Sequence, residues 1–275
     1  MNPAKALLFA ARPKTLPASL SPVFLGGFLA IKAGEFHPLT FTLTLLFSLL
    51  IQIGTNYAND YFDFIKGADT SARIGPKRAV QQGWIEPKAM WQIALLTFAS
   101  AFLIAIPLML KAGLWSVLVA ALCILFGILY TGGPKPLGYL GLGELLVFFF
   151  FGPVALAGTY FLQTGHLTNA VWLASIPPGL LSAAILTANN LRDYATDAVA
   201  CKKTVVVRFG LLFGKRLFLS FLLLAALFSI PFSPLLPLVF LATPLNDVAK
   251  ENFPPLLPKT ARLLLLYTAA FCLLV

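Results

Sequence analysis

Long stretches without any charged residue most strongly limit what this chain can fold into. The uncharged runs cover residues 15–31, 36–59, 89–110, 112–134, 145–191 and 217–246. About 20 apolar residues form a helix that crosses a bilayer, and lipid cannot satisfy the backbone groups of any open alternative. Only 11% of the 275 residues are charged, whereas soluble domains carry about 25%. The sequence therefore predicts an all-α, polytopic membrane protein.

The runs divide into about nine predicted transmembrane helices. They are residues 13–32, 38–58, 88–110, 113–131, 140–162, 169–190, 209–230, 233–246 and 260–275. The eighth and ninth are the shortest, and prolines interrupt the run that contains the eighth. We expect one domain, residues 1–275, with a weak pseudo-repeat of two halves whose motif loops are 59–87 and 189–210.

Lysine and arginine are distributed unequally between the two predicted membrane faces. With the N-terminus inside, all of the 20 Lys and Arg residues except Lys32 and Lys111 fall on the inner face. The positive-inside rule predicts this distribution. It explains the net charge of +10 without a nucleic-acid partner. We expect a multi-pass protein of the cell inner membrane whose functional loops lie on the cytoplasmic side.

Two acidic motifs follow apolar segments and emerge on the same predicted face. Each is a pair of aspartates with an asparagine four positions before the first: Asn56, Asp60 and Asp63, and Asn189, Asp193 and Asp197. Spacings of three and four residues place each group on one side of a helix. Because an even number of predicted spans separates the motifs, we expect them to converge across the bundle.

The chemistry of these motifs indicates a metal–phosphate site. Carboxylate and amide oxygens suit Mg²⁺, which binds few carboxylates while also contacting phosphate. Basic residues follow both motifs and occupy a loop between them: Arg73, Lys77, Arg78, Lys135 and Lys202. Arginine binds phosphate through two parallel hydrogen bonds. The simpler alternative is that the acids are solvated helix ends and the bases only fix the topology.

Several longer stretches make a family resemblance visible. They are Asn-Asp-Tyr-Phe-Asp at 59–63, Tyr-Thr-Gly-Gly-Pro-Lys-Pro at 130–136, Asn-Asn-Leu-Arg-Asp at 189–193, and the segments 12–19, 75–78 and 202–210. The chain resembles the UbiA superfamily of intramembrane aromatic prenyltransferases over nearly its whole length. Within it, the chain is similar to the MenA-type branch, which prenylates 1,4-dihydroxy-2-naphthoate in menaquinone synthesis. Cys201 stands where that branch commonly has glycine.

The resemblance implies a fold, a reaction and a set of residues. It implies a nine-helix bundle around a central cavity, with a cytoplasmic polar cap. The partners expected are a polyprenyl diphosphate, an aromatic acceptor acid and the lipid bilayer. Two Mg²⁺ ions would be held by Asp60, Asp63, Asp193 and Asp197. Substrate-binding residues would be Asn56, Asn59, Arg73, Lys77, Arg78, Tyr130, Lys135, Asn189, Asn190, Arg192 and Lys202.

Two other functions stay open at this point. One is another branch of the same superfamily, acting on 4-hydroxybenzoate or homogentisate. The other is a cation transporter, which would use acids along a path near the bilayer midplane. The transporter is disfavoured because nearly all the acids of this chain stand at the ends of predicted spans.

Overall fold

Residues 1–69 and 75–275 are described by a computed structural model, and over these residues the chain contains helices and no strands. The helices are α1 (Pro3–Ala10), α2 (Leu16–Lys32), α3 (Pro38–Ile65), α4 (Pro87–Ala112), α5 (Leu114–Leu129), α6 (Gly143–Thr164), α7 (Asn169–Arg192), α8 (Tyr194–Val199), α9 (Val205–Phe209), α10 (Leu211–Ser229), α11 (Leu245–Ala249) and α12 (Leu256–Leu274). Proline begins both α3 and α4, a position where its missing N–H costs nothing.

Seven helical units among the described residues are long and apolar enough to cross a membrane: α1 with α2, and then α3, α4, α6, α7, α10 and α12. Helix α5 is apolar but has only 16 residues. Large apolar side chains cover the outside; Leu110 and Leu114, for example, are 83% and 84% exposed. Such a surface belongs against lipid rather than water. The prediction of an all-α polytopic membrane protein is confirmed, but a count of nine helices is not.

The eighth predicted segment, 233–246, does not form a long helix. It contains a short 3₁₀ helix, Leu236–Ala242, followed by α11. Prolines at 231, 234, 237 and 244 explain this, because proline removes a helical hydrogen bond and clashes with the preceding turn. Lys215, near the start of α10, hydrogen-bonds Glu251 at 2.7 Å. The irregular segment therefore returns to the end of the bundle at which α10 begins.

Helix α7 is the centre of the bundle and packs against α2, α6, α10 and α12. Its contact with α6 is very close: a Cβ on Gly152 would lie 2.6 Å from the Ser175 carbonyl oxygen and 2.9 Å from Gly179 Cα. Around this contact α6 widens into π-helical turns, Phe150–Ala157, which include Pro153. A proline within a helix commonly produces such an irregularity.

Two apolar cores lie on either side of a central space. One joins α2, α6, α7, α10 and α12, with Leu181, Phe218 and Tyr267 fully buried. The other joins α1, α3 and α4 around Met90 and Phe98. The two motif-bearing helices, α3 and α7, thus belong mainly to different cores and end beside the space between them. The pseudo-repeat of two halves stays a prediction.

Candidate functional site

A cavity of about 170 Å³ lies between the two cores at the end where α3 and α7 terminate. Both acidic motifs contribute to its wall, Asp63 from α3 and Asp193 from the end of α7. The other predicted site residues that line it are Asn56, Asn59, Arg78, Tyr130, Asn189, Asn190 and Lys202. The structure therefore brings together residues that are more than 130 positions apart in the sequence.

Asp63 is the most heavily engaged acid of the first motif. Its carboxylate binds the Arg78 guanidinium at 2.8 Å and accepts a 2.8 Å hydrogen bond from the Tyr139 hydroxyl. The Lys202 ammonium lies 3.9 Å away, over the face of the Tyr139 ring. Burial, and then the charge of Asp63, raise the pKa of Tyr139, so this phenol keeps its proton as a donor.

Asp60 has a different environment. Its two carboxylate oxygens accept hydrogen bonds from the backbone N–H groups of Ala79, at 2.9 Å, and Val80, at 3.2 Å. It is 1% exposed and is absent from the cavity wall. Arg78 directly precedes these two amides. Asp60 therefore fixes the turn that presents Arg78 to Asp63.

The second motif is organised by Arg192. This guanidinium donates to both carboxylate oxygens of Asp193, at 2.7 and 2.6 Å, and to the Asn189 side-chain oxygen at 2.7 Å. Helix α7 ends here, since Asp193 has left the helical conformation. Asp197 is buried one turn later, and its carbonyl oxygen accepts from the Lys202 backbone N–H at 2.9 Å.

The remaining predicted asparagines each connect two elements. Asn56 donates to the Ala11 carbonyl oxygen at 2.9 Å, and so holds the break between α1 and α2. Asn59 accepts a 2.7 Å hydrogen bond from Thr131. Asn190 donates to Glu144 of α6 at 2.9 Å. These contacts tie the junction of α1 and α2, the segment after α5, and α6 to the motif-bearing helices.

Three predicted basic residues among those described are not part of this wall. Lys77 and Lys135 are exposed, Arg192 is buried against Asp193, and none of the three lines the cavity. Arg73 lies outside the described residues. A contact of these four with substrate stays a prediction.

Comparison with known proteins bears on the identity of this site. The sequence profile of the UbiA prenyltransferase family matches residues 19–248. The chain belongs to the UbiA prenyltransferase family. A transporter function is thereby set aside, and the integral membrane character follows from the family together with the apolar helices.

Relatives of this UbiA-family chain carry a specific description. The 1,4-dihydroxy-2-naphthoate octaprenyltransferase of Haemophilus influenzae is 42% identical over 231 residues, which are 81% of this chain and 75% of the relative. The proteins of the same name from Mycobacterium tuberculosis and Escherichia coli are 41% and 38% identical; the matches cover 73% and 77% of this chain, and 68% and 71% of the relatives. A UbiA homolog from Archaeoglobus fulgidus, bound to GPP and Mg²⁺, has the same fold, with a TM-score of 0.70 at 15% identity over 97% of this chain and 99% of that one.

Three residues in or beside this UbiA-family cavity were missing from the sequence prediction: Arg12, which lines it, and Tyr139 and Glu144, which hydrogen-bond lining residues. Arg12 lines the cavity from a left-handed backbone conformation, with φ of 54°. Glu144 is a buried acid near the start of α6. The sequence carried a signal for Arg12 and Glu144, because a charged residue beside or inside an apolar span is costly and is generally retained for a function.

The donor chemistry of this UbiA-family cavity fits magnesium. Asp63, Asp193 and Asn189 present carboxylate and amide oxygens to one space, and these are the hard ligands that Mg²⁺ prefers. Over the described part of the chain, no three His, Cys, Asp or Glu side chains are grouped closely enough to hold an ion by themselves. Such a site needs phosphate oxygens and water to complete the coordination.

A second cavity of about 120 Å³ adjoins the first, and the two share Gln52 and Phe151. Its wall is mostly apolar and includes Phe47, Val119 and Phe150. Two members of the four-phenylalanine run at 148–151 therefore face interior space, while Phe149 is exposed. In a UbiA-family protein, this pair of cavities offers a polar compartment beside an apolar one.

Proposed function

We propose that this protein transfers a polyprenyl group from an allylic diphosphate to 1,4-dihydroxy-2-naphthoate, with loss of CO₂, in menaquinone biosynthesis. The observation that carries the proposal is a cavity in which both acidic motifs meet basic side chains and which adjoins an apolar cavity. The naphthoate octaprenyltransferases at 38–42% identity support the choice of acceptor. The charge distribution supports an inner-membrane protein with this site on the cytoplasmic side.

The polar cavity is the diphosphate compartment. Arg12, Arg78 and Lys202 line it, and arginine in particular matches the geometry of phosphate oxygens. Asp63 and Asp193 would hold magnesium, in two ions that bracket the diphosphate, with Asn189 as a further oxygen donor. Bound magnesium would neutralise the diphosphate and stabilise the negative charge that develops as it leaves.

The acids of the two motifs have different roles in this proposal. Asp63 and Asp193 line the cavity, whereas Asp60 uses both oxygens on the amides of Ala79 and Val80. Asp60 therefore acts by positioning Arg78. Asp197, which holds the Lys202 backbone in place through its carbonyl oxygen, stays a proposed ligand.

The reaction balances without an external base. The allylic C–O bond breaks and its electron pair leaves with the diphosphate. The naphthoate ring carbon that bears the carboxylate forms the new C–C bond, and the C–CO₂⁻ bond breaks to give CO₂ and return its electrons to the ring. Arg78, Lys202 and Arg12 stabilise the leaving group through charge already in place. The cavity walls hold the ring against the allylic carbon and exclude water.

The apolar cavity receives the prenyl tail. A chain that enters at Phe151 would run between Phe47, Val119 and Phe150. The shared Phe151 places an aromatic face at the junction between the two compartments. There it can stabilise positive charge that develops on the allylic carbon, as aromatic rings do for cations.

The test is product formation by purified protein with Mg²⁺, a polyprenyl diphosphate and 1,4-dihydroxy-2-naphthoate, run beside 4-hydroxybenzoate. We expect a prenylated, decarboxylated naphthol, and its loss in D63N and D193N. D247N is the matched control, because Asp247 pairs with Lys259 outside the cavity. Prenylated hydroxybenzoate in place of the naphthol would refute the acceptor but leave the site. Full activity in D63N and D193N would refute the site.

A further inference from the structure

A buried carboxylate on α6 stands behind the cavity wall and has no role in the chemistry described above. Glu144 is 5% exposed and lies near the start of a membrane-spanning helix. Its Oε1 accepts a 2.9 Å hydrogen bond from Asn190, and its Oε2 has no hydrogen-bond partner among the described residues. An acid in this environment is costly unless it is paired or used. Its hydrogen bond with Asn190 therefore indicates what it does.

That contact determines which way the Asn190 amide points. The side-chain nitrogen of Asn190 faces Glu144, to which it donates, so the oxygen of the same amide faces the other way. Asn190 lines the cavity, whereas Glu144 does not. The atom left to face the cavity is thus the side-chain oxygen of Asn190.

Beside the Glu144–Asn190 pair lies Tyr130, whose hydroxyl oxygen would be 3.0 Å from a Cβ placed on Gly143, the residue before Glu144. Ser182, eight residues before Asn190 in α7, also lines the cavity, and its hydroxyl has no hydrogen-bond partner among the described residues. This part of the wall offers neutral hydrogen-bonding groups, which suit an aromatic hydroxyl rather than a diphosphate.

We propose that Glu144 is a positioning residue that holds the Asn190 amide with its oxygen toward the cavity, where it accepts a hydrogen bond from a hydroxyl of the aromatic acceptor. The inference rests on the proposed function. It deepens that function by assigning the Glu144–Asn190 pair to acceptor recognition and not to the diphosphate. Without Glu144, the amide can rotate and present its nitrogen, a donor, to the hydroxyl.

The experiment compares E144L, E144Q, N190L and the double variant E144L/N190L, with Q163L as the control. Gln163 is a buried polar residue that contacts the backbone of His37 outside the cavity. Initial rates are measured with each substrate varied in turn. A second readout is the rise in thermal unfolding midpoint produced by the acceptor alone, and separately by Mg²⁺ with prenyl diphosphate.

We expect E144L to lower kcat/KM for the acceptor about 10- to 100-fold, the effect of losing one buried hydrogen bond. It should also abolish the rise in unfolding midpoint that the acceptor produces. The KM for the diphosphate should change less than about twofold. E144Q should stay within about fivefold of wild type, because its amide oxygen still accepts from Asn190. The double variant should match N190L, since two residues that act as one unit are not additive.

Three results would overturn the inference: equal losses for both substrates in E144L, an E144Q variant as defective as E144L, or additive losses in the double variant. Failure of the proposed function looks different. In that case the wild-type protein prenylates 4-hydroxybenzoate and not the naphthoate, and the same comparison with 4-hydroxybenzoate still tests Glu144.

Discussion

Asp60 and Asp63 are three residues apart on α3, but the structure assigns them opposite tasks, and the substitutions D60N and D63N should separate those tasks. Asp60 accepts hydrogen bonds from two buried backbone amides, whereas Asp63 faces the cavity and binds Arg78. From the sequence alone, both are predicted magnesium ligands. The two assignments give different results in a thermal unfolding experiment.

The magnitude for D60N follows from its contacts. A hydrogen bond to a charged group contributes about 1.5–3 kcal/mol, and an asparagine can replace only one of the two. Asp60 is only 1% exposed, so the other backbone amide is left facing the new NH₂ group without access to water. We expect D60N to lose about 1.5–3 kcal/mol of stability. For a chain of this size that corresponds to a midpoint lower by about 3–5 °C.

D63N should behave in the opposite way. The asparagine oxygen can still accept from Tyr139, and Arg78 keeps Asp69 at 3.3 Å, so the midpoint of the free protein should change less than in D60N. The extra stability given by Mg²⁺ and prenyl diphosphate together should disappear in D63N, because that acid faces the ligand. It should persist in D60N, measured from its own lower starting point.

The assay is thermal unfolding in detergent, with and without Mg²⁺ and prenyl diphosphate, using D247N as the matched control. Asp247 pairs with Lys259 away from the cavity, so its loss should leave the ligand-induced rise unchanged. The reasoning is refuted if D60N keeps the wild-type midpoint and loses the ligand-induced rise. That outcome would restore Asp60 as a magnesium ligand.

Three further outcomes are expected. C201G should stabilise the protein by about 0.5–1 kcal/mol, because Cys201 has φ of 53° and glycine adopts this left-handed conformation at lower cost. A lower unfolding midpoint in C201G would contradict this. G152A should lower the free energy of unfolding by about 1–3 kcal/mol, because the added Cβ overpacks against the α7 backbone. G158A is the control, since nothing lies within 4 Å of its added Cβ. Equal unfolding midpoints for the two variants would refute the close contact. The pKa of Tyr139 is raised in the folded protein, so the unfolded chain releases this proton first and the stability of the fold falls as the pH rises above about 10. This fall should be shallower in Y139F. Unfolding midpoints that fall equally steeply with pH in the wild-type protein and in Y139F would contradict it.

The parts of this structure that follow from composition and periodicity could be predicted. Uncharged runs indicate the spans directly. The spacing of the acids within each motif places them on one helix face, and from this we could predict that the two motifs converge at the ends of α3 and α7. The eighth predicted segment has the composition of a span but forms no long helix, because closely spaced prolines prevent one there. The role of Asp60 was not accessible from spacing, since its partners are backbone amides, which every sequence possesses.

Charge balance in the cavity explains why each motif combines acids with arginine. Asp63 and Asp193 are each bound by a guanidinium at 2.8 Å or less, so both carboxylates are paired before any ligand binds. A cation alone would compete with the arginines for the carboxylates, and a diphosphate alone would draw the arginines away from them. If both arrived together, as the proposed function requires, the acids would turn to the cation and Arg78 to the phosphate. We therefore expect the resting ion pairs to favour joint binding of metal and diphosphate over either one separately.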